Sequence, residues 1–553
     1  MNKIGNNPIA SLIDAWQAIL RGFPTDPAQW LQLQYGVYRQ QLDLWGGVIG
    51  RQPAAEAGFA APGKADRRFS APEWEQYPLF DYIKQSYLIT SKALLDAVES
   101  SYLDEKTKEQ MTFFTRQFID AMSPANYPLT NPEVLKLAAE TRGQNFGDGL
   151  KNLMQDLQKG RISLSDDTAF EVGENLANTP GAVVYENELI QLIQYTPSTD
   201  MVSEIPLLIV PSVVNKYYIL DLAPESSFVR YFVAQGYTVF MVSWRNISRE
   251  TQQLTWDDYV AKGVMKAIEV TSEITGQAQI NALGYCTGGA LLSCALAVLA
   301  AKGQRAVASM TLLITILECS DPGEIGVYLN PTIVEQRERM FRRGGVVFGK
   351  ELTMAFSSLR ANDLVWCFAI NNYLKGKTPD AFDLFYWNTD DSNLPGPMFS
   401  YYLRNCYMEN NLVKPGRMTV CGTPVDLRKI DLPTYVFAGL EDHLVPWKSG
   451  YESVNHLQGE IEFVLGGGGH VTGPINPVSK NKRNFWINGV LSDNADDWLA
   501  TAQSVKGSWW PHWSAWLEKR AGKKVPARTT LGSGSNAVIE AAPGRYVKER
   551  VHS

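Results

Sequence analysis

The stretch Ile280-Asn281-Ala282-Leu283-Gly284-Tyr285-Cys286-Thr287-Gly288-Gly289-Ala290 constrains this chain more than any other. An apolar strand pattern runs into a cysteine bracketed by glycines and continues as a helix of small residues. That is the layout of a nucleophile elbow, with cysteine in place of serine in G-x-C-x-G. Such a turn is sharp and strained, and a side chain at either flanking glycine would collide with the strand or the helix. A helix starting at Thr287 aims its N-terminal amides and the positive end of its dipole at the sulfur, where anionic charge is favoured. The bland alternative is a buried cysteine in a glycine-rich turn. With six cysteines and 44 glycines in 553 residues, G-x-C-x-G rarely arises by chance, and the strand-before, helix-after context makes it rarer still.

An elbow needs a sheet, and the sequence from about residue 180 supplies one. Ala182–Tyr185 and Ile190–Tyr195 read as a hairpin, followed by apolar runs at Ile205–Val210, Thr238–Ser243, Ile280–Gly284 and Met310–Leu317. Helical patterns around Ser227–Gln235 and Asp257–Thr275 alternate with them, which predicts a mostly parallel, doubly wound α/β sheet. Residues 321 to about 430 interrupt the rhythm with aromatic-rich helical pieces, including Asp363–Lys375 and Phe399–Asn411. An insertion of this size between strands reads as a helical cap over the active-site face. The sheet resumes at Thr434–Gly439 and Ile461–Leu465. Residues before about 170 carry helical spacing instead, in Ile9–Leu20, Leu79–Ser100 and Lys106–Met122, with a flexible linker at Gln52–Ala71. The expected organisation is therefore a helical domain over 1–175 and a catalytic domain over 176–553 that carries the cap.

Composition bounds the partners and the compartment. A net charge of −7 gives no global reason to expect nucleic acid. The cysteines at 286, 294, 319, 367, 406 and 421 form no C-x-x-C pair, which argues against a zinc site or a disulfide framework and for a reducing compartment. Met1 to Asp14 lacks a signal-peptide layout, and the longest apolar run, Ala290 to Ala301, is too short to span a bilayer. A soluble cytoplasmic protein with no transmembrane segment is expected. Aromatics reach 11%, with 15 Trp and 24 Tyr, which suits either a surface that meets something apolar or a large core.

A cysteine nucleophile needs a base, and there are five histidines: 443, 456, 470, 512 and 552. Triads in elbow folds run nucleophile, acid, histidine along the chain. Asp442 follows the strand Thr434–Gly439, and His470 follows Ile461–Leu465 and a run of glycines, so Cys286, Asp442 and His470 fit that order. His443 is the rival base, but its adjacency to Asp442 makes it hard for that carboxylate to orient it. His456 suits a solvated helix face, and His512 suits packing among Trp509, Trp510, Trp513 and Trp516. Asp221 and Asp363 read as structural carboxylates. The backbone N–H of Thr287 is the first expected oxyanion donor. The loop Pro211-Ser212-Val213-Val214-Asn215 offers the second, best placed at Val214.

These residues and their surroundings resemble the polyhydroxyalkanoate (poly-3-hydroxybutyrate) synthase family, of the single-chain type, within the α/β-hydrolase superfamily. The resemblance runs through Pro211-Ser-Val-Val-Asn-Lys-Tyr-Tyr-Ile-Leu-Asp-Leu222, Val242-Ser-Trp-Arg-Asn246, Gly284-Tyr-Cys-Thr-Gly-Gly289 and Asn362-Asp-Leu-Val-Trp366. It continues through Asn371-Asn-Tyr-Leu-Lys-Gly376, Asn393-Leu-Pro-Gly-Pro397, Glu441-Asp-His-Leu-Val-Pro-Trp447, Gly469-His-Val-Thr-Gly473 and Gly507-Ser-Trp-Trp-Pro511. Ser212 stands where the family often has proline. The resemblance implies an α/β-hydrolase core with a helical cap and a helical N-terminal domain serving granule association and activity. It implies a triad of Cys286, Asp442 and His470 acting through an acyl-cysteine, and homodimerisation through the catalytic domain. It also implies (R)-3-hydroxyacyl-CoA and the growing polyester as partners at a cytoplasmic granule surface shared with granule-associated proteins. No metal or cofactor is implied beyond the coenzyme A thioester, which is the substrate. Arg337, Arg339, Arg342 and Arg343 read as a solvated helix face more readily than as phosphate ligands. The competing expectations are a cysteine-type esterase or thioesterase of the same fold and a non-catalytic granule-associated protein.

Overall fold

Apolar runs in the middle of the chain, joined by shorter and more polar flanking strands, produce an 11-stranded sheet. Its strands are β1 (Gly181–Glu186), β2 (Ile190–Tyr195), β3 (Leu207–Val210), β4 (Val239–Trp244), β5 (Ile280–Tyr285), β6 (Val307–Leu313), β7 (Thr434–Gly439), β8 (Ile461–Gly466), β9 (Asn484–Ile487), β10 (Gln503–Lys506) and β11 (Glu540–Ala541). The computed structural model describes residues 27–50 and 66–550. The spatial order is β10-β9-β8-β7-β6-β5-β3-β4-β2-β1-β11. The six central strands, β8 through β4, are parallel, and antiparallel strands flank them on both sides. The chain reverses its direction of winding at β3, which sits between β4 and β5, and ligands of such sheets bind outside the strand ends at this switch.

The parallel strands are buried on both faces, and alternate residues feed two separate cores. One face carries Leu208, Val210, Ala282, Val436 and Leu465, packed against the helix Thr287–Ala301. That helix is buried all round through Leu299, which explains why its sequence lacks a polar face. The other face carries Ile209, Leu283, Leu313, Phe437 and Val464, packed against Trp509, Trp510 and Trp513. These three tryptophans are almost fully buried. This part of the aromatic surplus is therefore core rather than surface.

The chain forms two compact units: Met1–Leu164 with Phe356–Asp380, and Ser165–Ala355 with Ala381–Ser553. The division differs from the expected one in two ways. The first boundary falls at 164/165 rather than 175/176, and the middle of the 321–430 insertion groups with the helical unit. The cause is a set of polar pairs that bridge more than 200 residues of sequence. Asn372 Nδ2 donates to the Ser163 carbonyl (2.8 Å), Tyr373 Oη to Asp156 (2.7 Å) and Asn145 Nδ2 to the Leu374 carbonyl (2.8 Å), while Lys375 pairs with Glu133 (2.7 Å). Asp156 and Asn145 face inward on the helix Gln144–Lys159, whose outward side shows Leu150, Met154 and Leu157. The expected helices at Leu79–Ser100 and Lys106–Met122 are present as Pro78–Glu99 and Glu105–Ala121. The expected helix Ile9–Leu20 and most of the linker Gln52–Ala71 lie outside the described residues. Among the described residues, no helix is long and apolar enough to cross a membrane.

Candidate active site

Strand registers bring the candidate residues together. Val210 of β3 pairs with Gly284 of β5, Tyr285 with Leu313 of β6, Leu313 with Phe437 of β7, and Gly439 with Gly466 of β8. The strands thus end on nearly one level. Everything that follows them leaves from that edge: the Pro211 loop, Cys286, the Glu441-Asp442 turn and the loop to His470.

Cys286 has φ 52° and ψ −123°. A non-glycine residue there costs on the order of 1–3 kcal/mol and persists only if its surroundings over-determine it. They do. Its N–H donates to the Leu313 carbonyl at 2.9 Å, and its carbonyl accepts from the Gly289 N–H at 2.9 Å and from Thr315 Oγ1 at 3.1 Å. The flanking glycines are required by close approach. A Cβ on Gly284 would run into the backbone of Gly289, and one on Gly288 into the carbonyls of Val210 and Pro211.

Asp442 has three hydrogen bonds to its carboxylate. Oδ1 accepts the N–H groups of Leu444 and Val445, each at 2.9 Å, and Oδ2 meets His470 Nδ1 at 2.7 Å. The Asp442 side chain is fully buried and that of His470 is 13% exposed. Because a carboxylate only accepts, Nδ1 carries the proton in this pair, and Nε2 is left for the sulfur. Cys286 is the other neighbour that acts on the ring. Burial pulls the His470 pKa down. The charges of Asp442 and Cys286 and the hydrogen bond to Asp442 outweigh it, and the net shift is well above the ordinary value of 6.5.

The loop after β3 is stitched to the elbow helix. Thr287 Oγ1 accepts the Val213 N–H at 3.1 Å and lies 3.0 Å from Ser212 Oγ, which accepts the Val214 N–H at 3.2 Å. Thr287 is the first residue of its helix, so its N–H has no intrahelical acceptor. The Val214 amide, by contrast, is engaged by Ser212 in this conformation, and an oxyanion would compete with that hydroxyl for it.

The other singled-out residues take other roles. The backbone carbonyl of His443 accepts the Glu324 N–H, while the Asp442 carboxylate is taken by His470 and two amides. His456 is not simply solvated, since its Nε2 lies 2.9 Å from Glu318. His512 bonds Tyr435 beside the tryptophans. Burial lifts the Asp221 carboxyl to about 6 against the hydroxyls of Ser227 and Thr179, which it ties together. Asp363 lies in the helical turn Asn362–Trp366 of the first unit. Arg337 and Arg339 pair with Glu351 and Glu335, and Arg342 and Arg343 are exposed. Tyr402 and Tyr407 are coupled electrostatically to Cys286 although no spacing rule selected them. Burial first, and then neighbouring groups including Cys286, push both hydroxyls far above their usual range. The aromatic density of Phe399–Asn411 is the sequence signal that could have found them.

Residues 65–232 match the family model described as poly-beta-hydroxybutyrate polymerase (PhaC) N-terminus, and residues 206–477 match the alpha/beta hydrolase fold. The chain is 46% identical over 537 residues to the poly(3-hydroxyalkanoate) polymerase subunit PhaC of Cupriavidus necator, covering 96% of this chain and 90% of that protein. It is 39% identical over 530 residues to the poly(3-hydroxyalkanoate) polymerase of Methylorubrum extorquens, covering 95% and 87%.

Proposed function

Because this chain belongs to the poly(3-hydroxyalkanoate) polymerase family, we propose that it is an acyltransferase that joins (R)-3-hydroxyacyl-CoA units into a polyester and releases coenzyme A. The observation that carries this reading is the strained Cys286, electrostatically coupled to a histidine whose Nδ1 is held at 2.7 Å by a buried carboxylate.

In this mechanism His470 Nε2 takes the proton of Cys286 and the sulfur attacks the thioester carbonyl. The bond from the acyl carbon to the sulfur of coenzyme A breaks, and the proton on His470 leaves with that sulfur. One thioester replaces another, so the step is nearly isoenergetic and the acyl group stays reactive. The hydroxyl of a second unit then attacks the acyl-cysteine. An ester bond forms, the bond to Cys286 breaks, and the hydroxyl proton returns to the sulfur through His470; the lengthened chain, now the coenzyme A thioester of the second unit, returns to Cys286 by the same exchange and releases coenzyme A. Asp442 fixes the ring and stabilises its charged form. The Thr287 and Val214 amides stabilise the tetrahedral oxyanions, each contributing about 3 kcal/mol. Water would end the chain as free acid, and the buried Tyr402 and half-buried Tyr407, whose hydroxyls feel the charge of Cys286, support its exclusion. We assign the enzyme to the cytoplasmic surface of polyester granules, as a homodimer.

The test is coenzyme A release and insoluble product from (R)-3-hydroxybutyryl-CoA, with wild type and Cys286→Ala side by side. Wild type should release coenzyme A with growing polymer and the variant should do neither. Free hydroxy acid without polymer would make the protein a thioesterase. Equal turnover by Cys286→Ala would refute the mechanism.

A further inference from the structure

The loop proposed to supply the second oxyanion donor ends at Lys216, and both ends of that residue are held by distant chain. Its side chain is 6% exposed. The ammonium meets Asp390 Oδ1 at 2.8 Å and the carbonyls of Val547 and Glu549 at 2.8 and 2.9 Å, so its three donors are matched by three acceptors. The backbone carbonyl of Lys216 accepts the Trp387 indole N–H at 2.8 Å. Asp390 is itself completed by the Tyr218 hydroxyl at 2.8 Å, and the neighbouring Asn215 bridges Asp391. The tail is anchored independently. Tyr546 donates its hydroxyl to the Asn187 carbonyl (2.7 Å) and its N–H to Gln191 (3.1 Å).

A buried lysine is costly unless every donor is satisfied. Here satisfaction requires three pieces at once: the oxyanion loop, the 387–391 segment and the C-terminal tail. Apolar side chains would fill the same space at lower cost, so the ammonium specifies position rather than adding bulk stability. An oxyanion donor displaced by a fraction of an ångström loses much of its effect. We propose that Lys216 is a positioning residue for the acyl-transfer step, and that the tail carbonyls of Val547 and Glu549 lock the oxyanion loop through it. This rests on the catalytic reading above and adds a requirement for residues that never touch substrate.

Two variants test it. Lys216→Met removes the ammonium. A chain ended at Tyr546 keeps the Asn187 and Gln191 anchors but removes both carbonyl acceptors. Coenzyme A release (kcat and KM) and alkylation of Cys286 by iodoacetamide are measured for each beside wild type. Both variants should lose kcat by about 10- to 100-fold, with KM within about threefold and the alkylation rate unchanged. A kcat within threefold of wild type in either variant overturns the proposal, as does a parallel fall of kcat, KM and alkylation that marks general loosening. Should Lys216→Met fail to fold, the shortened chain alone decides. A wild type that transfers no acyl group refutes the proposed function itself, and the positioning role falls with it.

Discussion

Replacing Asp442 with asparagine changes one atom and should disable the site. In the native arrangement Oδ1 is fixed by the amides of Leu444 and Val445, and Oδ2 receives His470 Nδ1–H at 2.7 Å. An asparagine must keep its oxygen on those two amides, because its NH2 group has nothing to offer them. Its NH2 then faces Nδ1, which must shed its proton to accept. The proton moves to Nε2, the nitrogen needed to take the one on Cys286. The charge attraction to an imidazolium is lost as well, about 4 kcal/mol for charges some 4 Å apart at an effective dielectric constant near 20. Tautomer and charge act on the same step, so about 4 kcal/mol is a floor, which corresponds to about a 10³-fold fall in acylation rate. The assay is single-turnover release of coenzyme A with enzyme in excess, paired with a melting curve to show that the fold persists. A variant that acylates within tenfold of wild type would refute the assignment of Asp442 as the partner that orients His470.

Three further outcomes follow from particular contacts. Gly288→Ala should abolish acylation and lower Tm, because the new Cβ meets the Val210 and Pro211 carbonyls; a folded, active variant would contradict the packing described for the elbow. Ser212→Ala frees the Val214 amide from its 3.2 Å bond, so coenzyme A release should hold or rise while stability falls by about 1 kcal/mol; a tenfold loss of rate would remove Val214 as a donor. His470 has a folded-state pKa raised above its unfolded value, so the bound proton stabilises the fold fully below about pH 6.5, and that contribution fades as pH climbs through the folded value. The Tm gap between wild type and His470→Gln should therefore be widest at acidic pH and close on the alkaline side, and a gap that widens with pH would reverse the assignment.

The sequence made the elbow legible because its chemistry is local: glycines at fixed offsets from Cys286 and a strand running into a helix. The order of Asp442 and His470 was legible because each follows an apolar strand run. The division of the insertion was not, since the pairs Tyr373–Asp156 and Asn372–Ser163 are polar, nonperiodic and more than 200 residues apart. Strands β9, β10 and β11 escaped because short, partly exposed strands at or next to the sheet edges, such as Gln503–Lys506, carry no apolar alternation. The state of the Val214 amide depends on a hydroxyl two residues earlier, and a backbone donor leaves no mark in residue identity.

The central claim is that the growing acyl chain rides on the sulfur of Cys286. It is tested by acid-quenching the enzyme during turnover of (R)-3-hydroxybutyryl-CoA, digesting it and reading the mass of the peptide that contains Cys286. The account predicts hydroxybutyryl adducts on that peptide, lengthening by whole repeat units with time and released by hydroxylamine. Coenzyme A release and polymer growth with that peptide never modified would contradict it.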